Sequence, residues 1–456
     1  MPQSLRNTLL SIRDLLVTAG PFIALAVGLL VVAYWFLDPT PPKHVVLATG
    51  ADQGAYSEFG KRYQTLLKQH GIRVELRTTQ GAAENLALLN DPESGVDLAF
   101  IQGGTDEPRR RSEDDADDRL VSLGSLFYEP VWLFYREDSA RRLLGGGSAS
   151  DAPSLANLHQ LQGWRVNIGA PGSGVPQLMD TLLDAHAIAP QSLTLLRQPQ
   201  TPAVMSLLAG ESDALVFASA PESLMVQMLL KTPGIRLMDF AQAEAYSRRF
   251  PFLSTVVLPR GVVDLALDQP PADVRLVAPT ATLLARNTVH PALIQLFVQA
   301  ATTIHSESGW FSRKGDFPKA GSTERPLAAE AERFYRNGPP FLQRYLPFWT
   351  ANLIDRMWVV LVSIIAILIP LSRIVPPLYQ FRIRSRVFRW YGQLQTLENE
   401  IGQRPAQQLV DELDAIAERV ANVHVPLSYA DELYALRGHI AMVRRKAAAA
   451  EEPQPG

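Results

Sequence analysis

The chain has 456 residues, enough for two or three domains, and a formal net charge of −3, too close to neutral to imply a nucleic-acid partner. Hydrophobic residues make up 47% of it, which suits a packed soluble core plus a few apolar spans. It contains no cysteine, so disulfides, thiolate metal sites and cysteine nucleophiles are excluded.

Residues 15–37 form an uncharged apolar run long enough to cross a bilayer, with Arg6 and Arg13 before it and Pro21 in its first turns. The run ends in Tyr34-Trp35-Phe36-Leu37-Asp38-Pro39, aromatics suited to a membrane interface, with no small-residue cleavage site. An uncleaved anchor is therefore expected rather than a cleaved signal peptide, with residues 1–14 as a cytoplasmic N-terminus. Pro39, Pro41 and Pro42 make a stiff linker.

From residue 43 to residue 322 strand and helix patterns alternate. Residues 45–48 predict a strand, broken by Thr49, Gly50, Asp52 and Gly54. Phe59, Tyr63, Leu66 and Leu67 then recur at helical spacing. The unit repeats as a strand at 74–76, a polar turn at 78–81, a helix at 84–89 and a strand at 96–101. Residues 105–118 mix charges and carry almost no apolar side chain, which predicts a surface insert. Residues 121–135 supply strands, and residues 143–153 are Gly/Ser-rich and read as a loop. Further strands are expected at 166–168, 214–218, 235–238, 254–258, 274–279 and 283–287. Helices are expected at 175–186, 204–210, 220–230 and 290–305. Such alternation predicts an α/β domain with parallel-type sheets, in which ligands bind outside the carboxyl ends of the strands.

Residues 323–355 read as a helical spacer. A second apolar run starts at Met357 and, extended past Arg373, gives a span over residues 356–378 with a kink at Pro370. A buried core helix is the alternative. Trp349 and Trp358 flank one side, and Arg382, Arg384, Arg386 and Arg389 the other. With arginines before the first span and after the second, both termini fall in the cytoplasm and the middle region in the periplasm of a bacterial inner membrane. Amphipathic stretches at 391–401, 406–421 and 429–445, broken at Pro426, predict a cytoplasmic helical hairpin over residues 379–456.

Three patches carry a family resemblance. The first turn holds Thr49, Gly50, Gly54, Ala55 and Tyr56; the second reads Thr79-Gln80-Gly81-Ala82-Ala83-Glu84-Asn85-Leu86; the next strand reads Asp97-Leu98-Ala99-Phe100-Ile101-Gln102. Val166-Asn167-Ile168-Gly169-Ala170-Pro171-Gly172-Ser173-Gly174, Asp213-Ala214-Leu215-Val216-Phe217 and Ala220-Pro221 agree with them. Together these resemble the solute receptors of tripartite ATP-independent periplasmic (TRAP) transporters, in the TRAP-associated extracytoplasmic immunogenic branch, over residues 45–322. The resemblance implies a two-lobed periplasmic-binding-protein fold, a binding protein rather than an enzyme, no cofactor, and transporter membrane subunits as partners. It implies a small carboxylate or amino acid as ligand, and Gly54, Ala55, Tyr56, Gln80, Asn85, Gln102, Pro171, Gly172, Ser173, Gly174 and Val175 as the residues that hold it.

The residues themselves support an anion site. Three helix starts, near Tyr56, Asn85 and Ser173, are expected to converge on one cleft, each offering free N–H groups. The turn Gly169-Ala170-Pro171-Gly172-Ser173-Gly174 lacks the Lys-Ser/Thr of a phosphate loop and the G-x-S-x-G of a nucleophile elbow. The eight histidines are scattered without metal-ligand spacing, and Asp97 and Asp213 sit at strand starts as structural groups. Gly54-Ala55-Tyr56 stands where related receptors have G-T-Y or G-V-Y, Gln80 replaces a glycine, and Val175 removes a threonine hydroxyl. Two rival readings stay open: a transmembrane sensor signalling to the helical tail, and a scaffold that has lost its ligand.

Overall fold

The structure, a computed structural model, describes residues 20–36, 41–52, 54–105, 119–145, 153–221, 223–321, 324–339, 341, 345–346, 348–423 and 430–449. The chain divides into two compact units, Thr40–Asn352 and the combination of Met1–Pro39 with Leu353–Gly456. Most of the expected insert at 105–118 lies outside the described residues.

The first described helix is α1 (Gly20–Phe36). In the Thr40–Asn352 unit, β1 (His44–Ala48), α2 (Ala55–Gln69), β2 (Arg73–Arg77), α3 (Ala82–Asn90) and β3 (Leu98–Gln102) follow. β1 pairs in parallel with both β2 and β3. The chain then crosses to a second lobe through β4 (Leu120–Tyr128) and β5 (Val131–Arg136). That lobe contains α4 (Glu137–Leu144), β6 (Arg165–Asn167), α5 (Val175–Ala185), β7 (Thr194–Leu196), α6 (Gln200–Ala209) and β8 (Ala214–Ala218). It continues through α7 (Leu224–Leu230), β9 (Ile235–Leu237) and α8 (Ala243–Arg249). β10 (Leu253–Leu258) and β11 (Val274–Arg286) return the chain to the first lobe, which α9 (Pro291–His305) and α10 (Ala329–Asn337) complete.

The first sheet has the order β10-β11-β3-β1-β2, with β4 also on β11, and the second the order β7-β6-β8-β5-β9. Each lobe has its own apolar core, one centred on Tyr63, Phe100 and Phe297, the other on Trp132, Trp164 and Phe134. β11 serves both: Leu276–Ala278 face the second core and Ala281, Leu283 and Ala285 the first. The two crossings meet, because the Glu129 N–H donates to the Pro279 carbonyl at 2.9 Å.

Asp97 and Asp213 anchor strand starts. Asp97 accepts from the Val46 N–H at 2.8 Å. Burial raises the Asp213 pKa, but hydrogen bonds from Arg165 and Ser139 outweigh it and hold the group at about 2. His305 is a buried histidine among Phe59, Tyr63 and Phe127, and its Nε2 has no hydrogen-bond partner among the described residues.

Four expectations change, the first being that the helix expected from residue 220 starts at Leu224, as α7. The return strands at 274–279 and 283–287 are one strand, β11. The helix expected from residue 204 starts four residues earlier, as α6. The expected tail hairpin is a three-helix assembly. After α11 (Phe348–Ser372), α12 (Val375–Asn399) contributes Val387, Leu394 and Leu397 to one core with α13 (Ala406–Ala421) and α14 (Ala430–Ala449).

Among the described residues no single helix is long and apolar enough to cross a membrane. Residues 15–19 and 37 of the first expected span lie outside them. The segments Met357–Ser372 and Val375–Asn399 meet the length and hydropathy requirement together, bent by 41°.

Candidate functional site

The loops at the carboxyl ends of β1, β2 and β3 face those after β6, β7 and β8 across a cleft. Between them lies a cavity of about 120 Å³. Gly54, Ala55, Tyr56, Gln80, Gln102, Ser173, Gly174 and Val175, all expected from sequence, line it. Asn85, Pro171 and Gly172 do not.

Asn85 is fully buried beneath the cleft floor. Its Nδ2 donates to the carbonyls of Thr49 and Phe100, and its Oδ1 accepts from the Thr79 hydroxyl at 2.7 Å. It ties β1, β3 and the second turn together. Gly172 serves the contact between lobes. Its carbonyl accepts from the Glu84 N–H at 3.0 Å. A second cross-lobe bond runs from Gln177 Nε2 to the Gly104 carbonyl at 3.1 Å. The approach is close: a Cβ on Gly81, whose φ is +138°, would lie 3.1 Å from Ser173 Cα, and one on Gly172 would lie 2.7 Å from Gln80 Cβ.

Four helix starts border the cavity. The residues before α2, α3, α5 and α6 are Gly54, Gly81, Gly174 and Pro199, and none makes a side-chain capping bond. A helix N-terminus without a side-chain cap presents backbone N–H groups and the positive end of the helix dipole. In α3 the Glu84 N–H is committed to Gly172. The fourth start, at Gln198, Pro199 and Gln200, had no recognisable motif in the sequence. Leu215–Ser219 at the end of β8 supply a mostly apolar wall. Among the described residues lining the cavity there is no lysine or arginine.

Glu129 was not among the site residues expected from sequence. It lies in the crossing between β4 and β5, lines the cavity, and is only 3% exposed. Tyr56 Oη donates to Glu129 Oε2 at 2.8 Å, and Tyr56 stacks on Phe100 with ring centroids 5.1 Å apart. Burial pushes the Glu129 carboxyl up to about 8, against the lowering effect of the Tyr56 hydrogen bond. The carboxyl is therefore largely protonated at neutral pH. Burial, together with the Glu129 charge, also raises the Tyr56 hydroxyl well above its usual value.

The sequence model of the NMT1-like family matches residues 47–336, more than half of the chain. The comparison with curated proteins gave no match. Among solved structures, the chain is similar to a protein from Bordetella bronchiseptica RB50, at 14% identity and TM-score 0.39, covering 59% of this chain and 73% of that one. It is similar to the alkanesulfonate-binding protein SsuA from Xanthomonas axonopodis pv. citri bound to MOPS, at 14% identity and TM-score 0.34, covering 58% and 74%. It is also similar to the periplasmic aliphatic sulphonate binding protein SsuA from Escherichia coli, at 15% identity and TM-score 0.34, covering 71% and 83%.

Proposed function

The chain belongs to the NMT1-like family, and on that premise we propose that its Thr40–Asn352 unit captures a small organic anion in the cleft and delivers it to the membrane subunits of a TRAP-type transporter. The observation that carries this reading is the meeting of four helix starts without side-chain caps on one cavity whose described lining residues include no lysine or arginine. Each helix dipole contributes roughly 0.3–1 kcal/mol toward an anion when exposed and up to about 2 when partly buried. The cavity is too small for a sugar chain or a peptide. Glu129 then favours an amino acid over a simple carboxylate. A ligand amine beside it would offset the cost of ionising a buried carboxyl.

The lobes close on the ligand about the two crossings at Glu129–Pro130 and Pro279–Thr280. Residues 15–37 and 356–378 anchor the protein in the inner membrane, with the binding unit in the periplasm and both termini in the cytoplasm. The exposed apolar side chains of α1 and α11 support this, among them Val31, Trp35, Val359 and Ile365.

The test is a thermal-shift screen of the Thr40–Asn352 unit against amino acids, dicarboxylates, sugars and polyamines. A ligand present at 100 times its Kd should stabilise the fold by about 2.7 kcal/mol. An amino acid or carboxylate is the expected hit, and Tyr56→Ala should remove the shift while leaving the unit folded. Stabilisation by sugars or polyamines alone would refute the anion reading.

One observation favours the sensor as a second reading. α12 runs unbroken from the bend after α11 into the three-helix core, so a movement of α11 has a continuous helix to act on. Copurification with transporter membrane subunits would decide for the receptor.

A further inference from the structure

α12 has two faces of opposite character. Val387, Leu394 and Leu397 are buried against α13 and α14. At 100° per residue, Ile374, Leu378, Phe381 and Phe388 fall in a stripe about 80° wide on the other side. These four are 48%, 42%, 73% and 59% exposed. Such a row of large apolar side chains is not explained by the core of this unit.

Charge decides what covers it. Between Asp355 and Glu398 the sequence has no acidic residue, whereas Arg382, Arg384 and Arg389 of α12 fall beside the stripe. By the same helical projection, Arg382 and Arg389 border one edge of the stripe, and Arg384 the other. Arg384 also pairs with Glu432 at 2.9 Å. A second copy laid along this stripe would set arginine edges against arginine edges. An apolar stripe edged with arginines instead matches a bilayer surface, where side chains enter the acyl boundary and guanidinium groups meet phosphate. The 41° bend between the Met357–Ser372 segment and α12 turns α12 away from the preceding helix axis.

We infer that, beyond the 356–378 span, the face of α12 that carries Phe381 and Phe388 lies on an anionic phospholipid surface, with the three-helix core held on its opposite side. The inference rests on the membrane-anchored reading above. It makes the stretch of α12 that follows the span an interfacial segment, and it commits its arginines to lipid headgroups as well as to topology.

The full chain has no cysteine, so single labels can be placed cleanly. An environment-sensitive dye goes on Phe381→Cys or Phe388→Cys, with Glu418→Cys, at an exposed position of α13, as reference. The labelled chains are reconstituted into vesicles of phosphatidylcholine, with or without phosphatidylglycerol, containing spin-labelled lipid. Quenching at 381 and 388 should exceed that at 418 severalfold when phosphatidylglycerol is present, and should drop without it. Arg382→Gln and Arg389→Gln should each lower the surface-bound population roughly fivefold. Equal quenching at all three positions, or no dependence on phosphatidylglycerol, overturns the proposal. Cross-linking between Phe388→Cys chains without lipid quenching would assign the stripe to a second copy and overturn it too. A chain that fails to enter vesicles at all would overturn the anchored reading and this inference together, whereas unquenched labels in a fully reconstituted chain would overturn the inference alone.

Discussion

Replacing Glu129 with glutamine tests the electrostatics of the cleft directly. The carboxyl is buried, has one hydrogen bond from Tyr56, and is raised from 4.5 to about 8 by burial. Between those two values the unfolded chain has lost the proton while the folded chain keeps it. The unfolded state then binds fewer protons, so stability falls as pH rises, by about 1.4 kcal/mol per pH unit. The loss is roughly 3 kcal/mol at pH 7 and levels off near about 5 kcal/mol above pH 8. Glutamine is neutral throughout, has nearly the same shape, and can still accept from the Tyr56 hydroxyl. Melting curves of the Thr40–Asn352 unit should nearly coincide for Glu129 and Glu129→Gln at pH 5. By pH 9 the variant should melt higher by on the order of 10 °C, at about 2–4 °C per kcal/mol for a domain of this size. A ligand bearing an amine should flatten the pH dependence of the parent protein, because the amine makes the ionised carboxyl tolerable. Parallel melting curves from pH 5 to pH 9 would show that Glu129 is solvated or paired, and the reasoning about the buried acid would fail.

Gly81→Ala adds a Cβ at positive φ within 3.1 Å of Ser173 Cα, so it should leave both lobes folded but weaken ligand binding roughly tenfold by opposing closure; an unchanged Kd by calorimetry would refute the close-approach argument. Asn85→Ala removes three buried hydrogen bonds and should cost roughly 2–4 kcal/mol in denaturant unfolding. The Kd of the remaining folded fraction should not change, and a large change would return Asn85 to the ligand site. A periplasm-active reporter fused after Gly145 should be active and the same reporter at the C-terminus silent; activity at the C-terminus would leave the 356–378 run as a core helix.

The first lobe was legible because its strands are short, apolar and closed by glycine-containing turns, so β1, α2, β2, α3 and β3 declare themselves in sequence. β11 was split because Pro279 interrupts its apolar pattern. The strand tolerates that proline where it pairs with the edge strand β10 and where the Pro279 carbonyl receives the Glu129 N–H. The start of α6 was hidden by Pro199 and Pro202, which suit a first helical turn as well as a loop. In the site, Tyr56, Gln102 and Ser173 stood at strand ends or helix starts, where the topology fixes their direction. Asn85 occupied a similar place in sequence, but its position on α3 turns it inward to the strand carbonyls. Glu129 carried one signal, a lone acid inside the apolar run Ser125-Leu126-Phe127-Tyr128-Glu129-Pro130-Val131-Trp132. Periodicity could not show that this run crosses the cleft.

The two hydrogen bonds that join the lobes and the groups that line the cavity come from different residues. Glu84, Gly172, Gln177 and Gly104 join the lobes through two hydrogen bonds of 3.0 and 3.1 Å, and none of them lines the cavity. Closure therefore has a stabilising contribution that is the same whatever fills the cleft. A ligand shifts the open–closed balance only by its preference for the closed form, so changes to the clasp should scale every ligand's affinity by one common factor. Changes at Tyr56, Glu129 or Ser173 should instead reorder affinities among ligands, because those groups line the cavity. Selectivity and closure can then vary separately. A substitution at Val175, a lining residue, would thus alter which solute is held without loosening the lobes.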